Sequence, residues 1–102
     1  MVQFQELYFG LIIKYNVMTE RQVQLLGFRR VDVQAEEGGT YPYHFYKYEI
    51  TTGLSLKSND SDEQCAQDGD WHIKFDNTSE PIVFHNMEKV QALINTLERA
   101  KV

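Results

Sequence analysis

Three histidines, His44, His72 and His85, one cysteine, Cys65, and a run of carboxylates are the side chains through which this chain could do chemistry. A metal centre needs three or four ligands converging at about 2 Å. The sequence offers no His-x-His, His-Glu-x-x-His or Cys-x-x-Cys spacing to supply them. All three histidines fall on expected strands, where solvation or a local hydrogen bond is the simpler role. His44 and His72 could approach each other if their strands are neighbours. With a carboxylate such as Asp70 they define an alternative ligand site, that of a small-molecule binder or minor enzyme. Cys65 lies between Glu63 and Asp68, and neighbouring anions disfavour the thiolate that a nucleophile requires. No Gly-x-Ser-x-Gly elbow and no phosphate-cradling glycine loop is present. The sequence therefore assigns no catalytic residue, no metal and no cofactor.

The carboxylates are the stronger signal. Asp60, Asp62, Glu63, Asp68 and Asp70 stand within residues 59–70, which contain no Lys or Arg. Counted from Asp60 as a calcium loop, the fifth position is Gln64, the sixth is Cys65 instead of Gly, and the twelfth is Trp71 instead of Glu. The run reads most simply as a solvated loop joining two strands; the sharper alternative is a display of negative charge for a basic partner, since opposed potentials speed encounter and set register. Tyr43 and Phe45 join it as candidate contacts, because tyrosines left over from the core make good amphipathic anchors.

Charge narrows the partner. The 102 residues carry a net −5, divided as −1 over residues 1–50 (five basic, six acidic) and −4 over 51–102 (five basic, nine acidic). Phosphate neutralisation supplies most non-specific nucleic-acid affinity, so this balance disfavours DNA or RNA. A DNA-binding regulator would have to rely on Arg21, Arg29 and Arg30. No apolar run approaches the roughly 18 residues of a membrane span, and no signal-peptide pattern opens the chain. A lone cysteine and no leader point to the cytoplasm. The expected partner is an unknown protein with a basic surface, and self-association is compatible with the same surfaces.

These side chains must be positioned by a small α+β domain. Tyr43–Ile50 is aromatic and β-branched, uninterrupted by Gly or Pro, which suits a half-buried pleat. Alternation puts His44, Tyr46, Tyr48 and Ile50 on one face and Tyr43, Phe45, Lys47 and Glu49 on the other. Helices should cover the first face and only partly cover the second. Gly53 should close a three-residue hairpin loop leading into Leu54–Ser58, with Leu54 and Leu56 inward and Ser55 and Lys57 outward.

Further strands are expected at 28–34, 71–75 and 82–85, the loop 36–42 being broken by glycines and a proline. The pattern predicts helices at 3–15 (an edge strand being the alternative), at 20–26 capped by Thr19, and at 87–100 capped by Asn86. The whole is one domain, residues 1–102: a helical segment 1–27, an antiparallel four- to five-stranded meander sheet 28–85, and a C-terminal helix 86–102.

Leu26-Gly-Phe-Arg-Arg-Val31, the aromatic strand, Leu54–Asn59, Gly69-Asp-Trp-His-Ile73 and the Ile-Val-Phe strand before Val90–Leu97 together resemble small uncharacterised proteins of phage, prophage and gut-bacterial mobile elements. The resemblance spans residues 19–98. It implies a compact accessory protein that modulates a host or competing-element protein by occupying its surface.

Overall fold

The structure, a computed structural model, describes residues 17–35, 41–76, 78 and 82–101. The helix expected at 3–15, most of the glycine-rich loop and part of the polar turn before the last strand lie outside these residues.

Helix α1 (Glu20–Leu25) starts where the sequence places a cap. The Gln22 amide donates to Thr19 Oγ1 at 3.2 Å, and the Thr19 amide donates to Gln22 Oε1 at 2.9 Å. This reciprocal arrangement satisfies two amides that have no intrahelical partner. Gly27, at φ +98°, ends the helix in a left-handed conformation that costs other residues strain.

Five strands follow: β1 (Arg29–Val33), β2 (Tyr43–Thr51), β3 (Leu54–Ser58), β4 (Ile73–Phe75) and β5 (Val83–Phe84). They form one antiparallel sheet in the order β1-β2-β3-β4-β5, the expected meander. The hairpin differs in detail. Thr51 pairs with Leu54, so the loop is Thr52-Gly53, and the extra residue appears inside β2, where the register shifts between Glu49 and Thr51. Ile50 takes up that shift while its side chain stays buried.

Helix α3 (Met87–Ala100) matches its expected span. Asn86 Oδ1 accepts from the amides of Glu88 and Lys89, Glu88 lies in the first turn and Arg99 in the last. Both charges suit the helix dipole. Val90 and Ile94 are buried, with Met87 and Leu93 packed beside them.

The core lies on the face of Tyr46, Leu56 and Ile73, where Met18, Val23, Leu26, Phe28, Trp71, Val90 and Ile94 join them. Trp71 is fixed by a bridge to Met18, its amide donating to the Met18 carbonyl at 2.7 Å. The pairing of the strands puts Tyr43, Phe45, Lys47, Lys57 and Lys74 on the opposite face. Ser55 departs from expectation and is buried. It pairs with Glu49 across β2 and β3.

Residues 59–70 are the main correction. They were expected as a solvated connection, yet they fold: Gln64–Gln67 form the short helix α2, Ala66 packs into the core, and Asn59 is almost wholly buried.

Candidate functional site

The acidic segment is built outward from two serines. Past the Lys47–Lys57 pair, serine side chains accept from the amides of β2 that face β3. The Tyr46 amide donates to Ser58 Oγ at 2.8 Å, and the His44 amide to Ser61 Oγ at 2.9 Å. The Ser58 hydroxyl donates a hydrogen bond to the Asn59 carbonyl, and the Ser61 amide donates to the His44 carbonyl. Buried amides are thereby satisfied while the chain turns away from the sheet.

Asn59 then ties both ends of the segment together. Its Oδ1 accepts from the His72 amide at 3.0 Å, and its Nδ2 donates to the Asp70 carbonyl and to Cys65 Sγ. Glu63 Oε2 accepts from the Asp60 amide, the Gln64 amide side chain donates to Asp68 Oδ1, and Gly69 turns the chain at φ +84°.

This frame sorts the five expected carboxylates. Asp62, Glu63 and Asp68 are exposed, whereas Asp60 and Asp70 are half-buried. Asp60 Oδ1 and Asp70 Oδ1 are buried without a hydrogen bond. Burial, reinforced by the charges of Glu63 and Asp62, pushes the Asp60 carboxyl above the ordinary carboxylate range despite Lys57 and Lys74. Asp70 Oδ1 lies 3.9 Å from His85 Nδ1, too far for a hydrogen bond. Cys65 is half-buried, its sulfur committed to Asn59.

The two expected ligand-site histidines are not brought together. β3 separates their strands, and strand pairing puts His44 on the core face and His72 on the other. His72 instead neighbours His85, ring centres 5.5 Å apart. Burial, then the charge of His85, pulls the His72 pKa below its ordinary value.

His44 belongs to a cluster that sequence reasoning did not assemble. Its Nε2 lies 2.6 Å from Glu20 Oε2, which also accepts from the Tyr46 hydroxyl at 2.8 Å. The Gln24 side chain donates to that hydroxyl at 2.9 Å, and the His44 ring stacks on Trp71. Burial alone would raise the Glu20 carboxyl, but hydrogen bonds from His44 and Tyr46 outweigh it and the net shift is downward. Burial and the hydrogen bond to Glu20 raise the Tyr46 phenol. The cluster joins α1 to β2, and helical spacing of Glu20 and Gln24 was the only signal for it.

Tyr43 and Phe45 occupy the face opposite Tyr46 and Leu56, both half-buried, with Lys57 Nζ 4.5 Å from the Phe45 ring centre. Among the described residues no group of three His, Cys, Asp or Glu side chains could hold a metal ion, and no helix is long and apolar enough to cross a membrane. No protein-family model, curated protein or solved structure matches the chain.

Proposed function

We propose that the protein is a non-enzymatic accessory module that binds another protein, offering Asp62, Glu63 and Asp68 to a basic surface in the cytoplasm. The observation that carries this reading is the fixation of the acidic segment. Ser58, Asn59 and Ser61 pin it to the sheet by side-chain hydrogen bonds, so its exposed carboxylates are held before any partner arrives. Pre-ordered contacts lower the entropy that association must offset, and exposed charge of one sign accelerates encounter with the other. Tyr43 and Phe45 lie beside its root, since Ser61 bonds to the intervening His44. The resemblance to mobile-element accessory proteins agrees with a role exercised by occupying a surface.

Asp62→Lys combined with Asp68→Lys should weaken capture of the partner from the source cell and leave the melting temperature nearly unchanged, because neither side chain is buried. Equal capture by the two proteins, with both folded, would remove the acidic segment from the interface.

A further inference from the structure

The sheet register aligns four cations that lie far apart in sequence. Arg29 pairs with Lys47, Lys47 with Lys57, and Lys57 with Lys74, so one side chain from each of four successive strands stands in a single row on the sheet face opposite Tyr46, Leu56 and Ile73. Neighbouring strands are about 4.8 Å apart, which makes the row about 14 Å long. Like charges directly opposite one another on a sheet destabilise it. Lys47 is relieved by Asp76, 3.5 Å away; among the described residues no carboxylate lies within 4.0 Å of Arg29, Lys57 or Lys74. A chain of net −5 thus concentrates four of its ten basic side chains on one sheet face.

We propose that this face is a docking site for an extended acidic segment of a partner protein, gripped by Arg29, Lys47, Lys57 and Lys74. An extended peptide places alternate side chains about 6.8 Å apart, so about three carboxylates of an alternating segment span the row. The next two rows pair Val31 with Phe45 and Val33 with Tyr43, a half-buried apolar strip for the side chains in between. A cleft of about 400 Å³ beside Arg29 and Lys47, also lined by Gly27, Tyr48 and Glu49, gives one end of the segment a recess.

Single-stranded nucleic acid fits less well. It binds sheets by stacking bases on aromatic rings, and the Phe45 ring is already covered by the Lys57 ammonium. Asp76 beside Lys47 and Asp60 near Lys57 and Lys74 also bound the row with negative charge, which suits a few carboxylates and repels a long polyanion. This cationic row is opposite in sign to the exposed carboxylates of residues 59–70 and shares only the flanking Tyr43 and Phe45 with that reading, so its cations would still bind if the carboxylates' role failed.

The test is fluorescence anisotropy of the intact chain with a labelled short peptide alternating Glu and Val, its Gln counterpart, and an oligouridylate of equal charge. The Glu peptide should bind, the Gln peptide should not, and Lys57→Glu with Lys74→Glu should weaken binding at least about tenfold, an effect that added salt mimics. Asp62→Lys with Asp68→Lys should leave binding intact. Should the double glutamate variant fail to fold, Lys57→Gln replaces it, and amide shifts on titrating the unaltered protein should map to β1–β4. No binding of the Glu peptide, binding indifferent to the lysine changes, preference for the oligouridylate, or self-association abolished by reversing either sign of charge would each overturn the proposal.

Discussion

Glu20 and His44 meet across the boundary between helix α1 and strand β2, Oε2 to Nε2 at 2.6 Å, with the Tyr46 hydroxyl donating to the same carboxylate oxygen. The pair fixes the short helix, which has only Val23 and the neighbouring Leu26 to bury, against the sheet. Because the Glu20 pKa is lower in the folded chain than in the unfolded one, its contribution is fully present above about pH 4.3. That contribution is lost as the pH falls through the depressed value. Glu20→Gln should lower stability at neutral pH by about 0.5–1 kcal/mol, or about 4 °C in Tm, and should flatten the acid limb of a stability–pH profile. The Glu20 side chain is 39% exposed, and solvent screening keeps the effect at this modest level. An unchanged acid limb would show that the contact contributes nothing.

Asp60 carries the opposite sign. Its folded pKa is raised, chiefly by burial, so the folded chain binds its proton more tightly than the unfolded chain does. Stability from this group is therefore greatest at low pH and falls as the pH rises from about 3.9 through the folded value. Asp60→Asn should raise Tm at pH 7 by about 2–3 °C, and the gain should disappear near pH 3. Thermal melts of the two proteins across that range decide the matter.

The difference between these two carboxylates was not legible in the sequence, although much around them was. Alternation in Tyr43–Ile50 gave both faces of β2, the Thr19 and Asn86 caps gave two helix starts, and the meander followed from short connections. What periodicity could not give was pairing at a distance. The Lys47–Lys57 register follows from the Gly53 turn, but the Lys57–Lys74 register depends on how residues 59–70 fold. That segment looked like a solvated run because its composition is acidic. Its order comes from Ser58, Asn59 and Ser61, small polar residues whose side chains bond to backbone groups that only the tertiary structure brings near. Glu20 escaped notice for the same reason, its partners lying more than twenty residues away.

His72 should titrate below its ordinary value. Burial and the charge of His85 depress the His72 pKa, and two rings 5.5 Å apart resist carrying positive charge together. As the unfolded chain takes up a proton near pH 6.5, the folded chain does not, so stability falls as the pH drops from there through the folded His72 value. Histidine ring resonances followed by NMR should show His72 titrating below its unfolded value, and His85→Gln should move it back upward. A His72 titration untouched by that change would mean that burial alone sets it.

Asn59 is the residue on which the acidic segment depends most. It is 3% exposed and makes three side-chain hydrogen bonds, to the His72 amide, the Asp70 carbonyl and Cys65 Sγ. Its backbone amide also donates to the His72 carbonyl. Asn59→Ala removes the side-chain bonds and strands a backbone donor and acceptor, each costing about 1–3 kcal/mol when left buried and unpaired. The expected loss is about 2–4 kcal/mol by urea unfolding, since water entering the vacated space can recover part of it. Asn59→Asp keeps the acceptor for His72 but loses both donations and adds a charge near Asp60 and Asp70, so it should cost at least as much. The decisive measurement is amide hydrogen exchange. In Asn59→Ala, the amides of Asp70 and of α2 should lose protection while those of β2 and α3 keep theirs, because the bonds removed tie the two ends of the segment to each other and to Cys65 in α2, and none holds β2 or α3. Uniform loss across the sheet would instead mean that residues 59–70 unfold only with the whole domain.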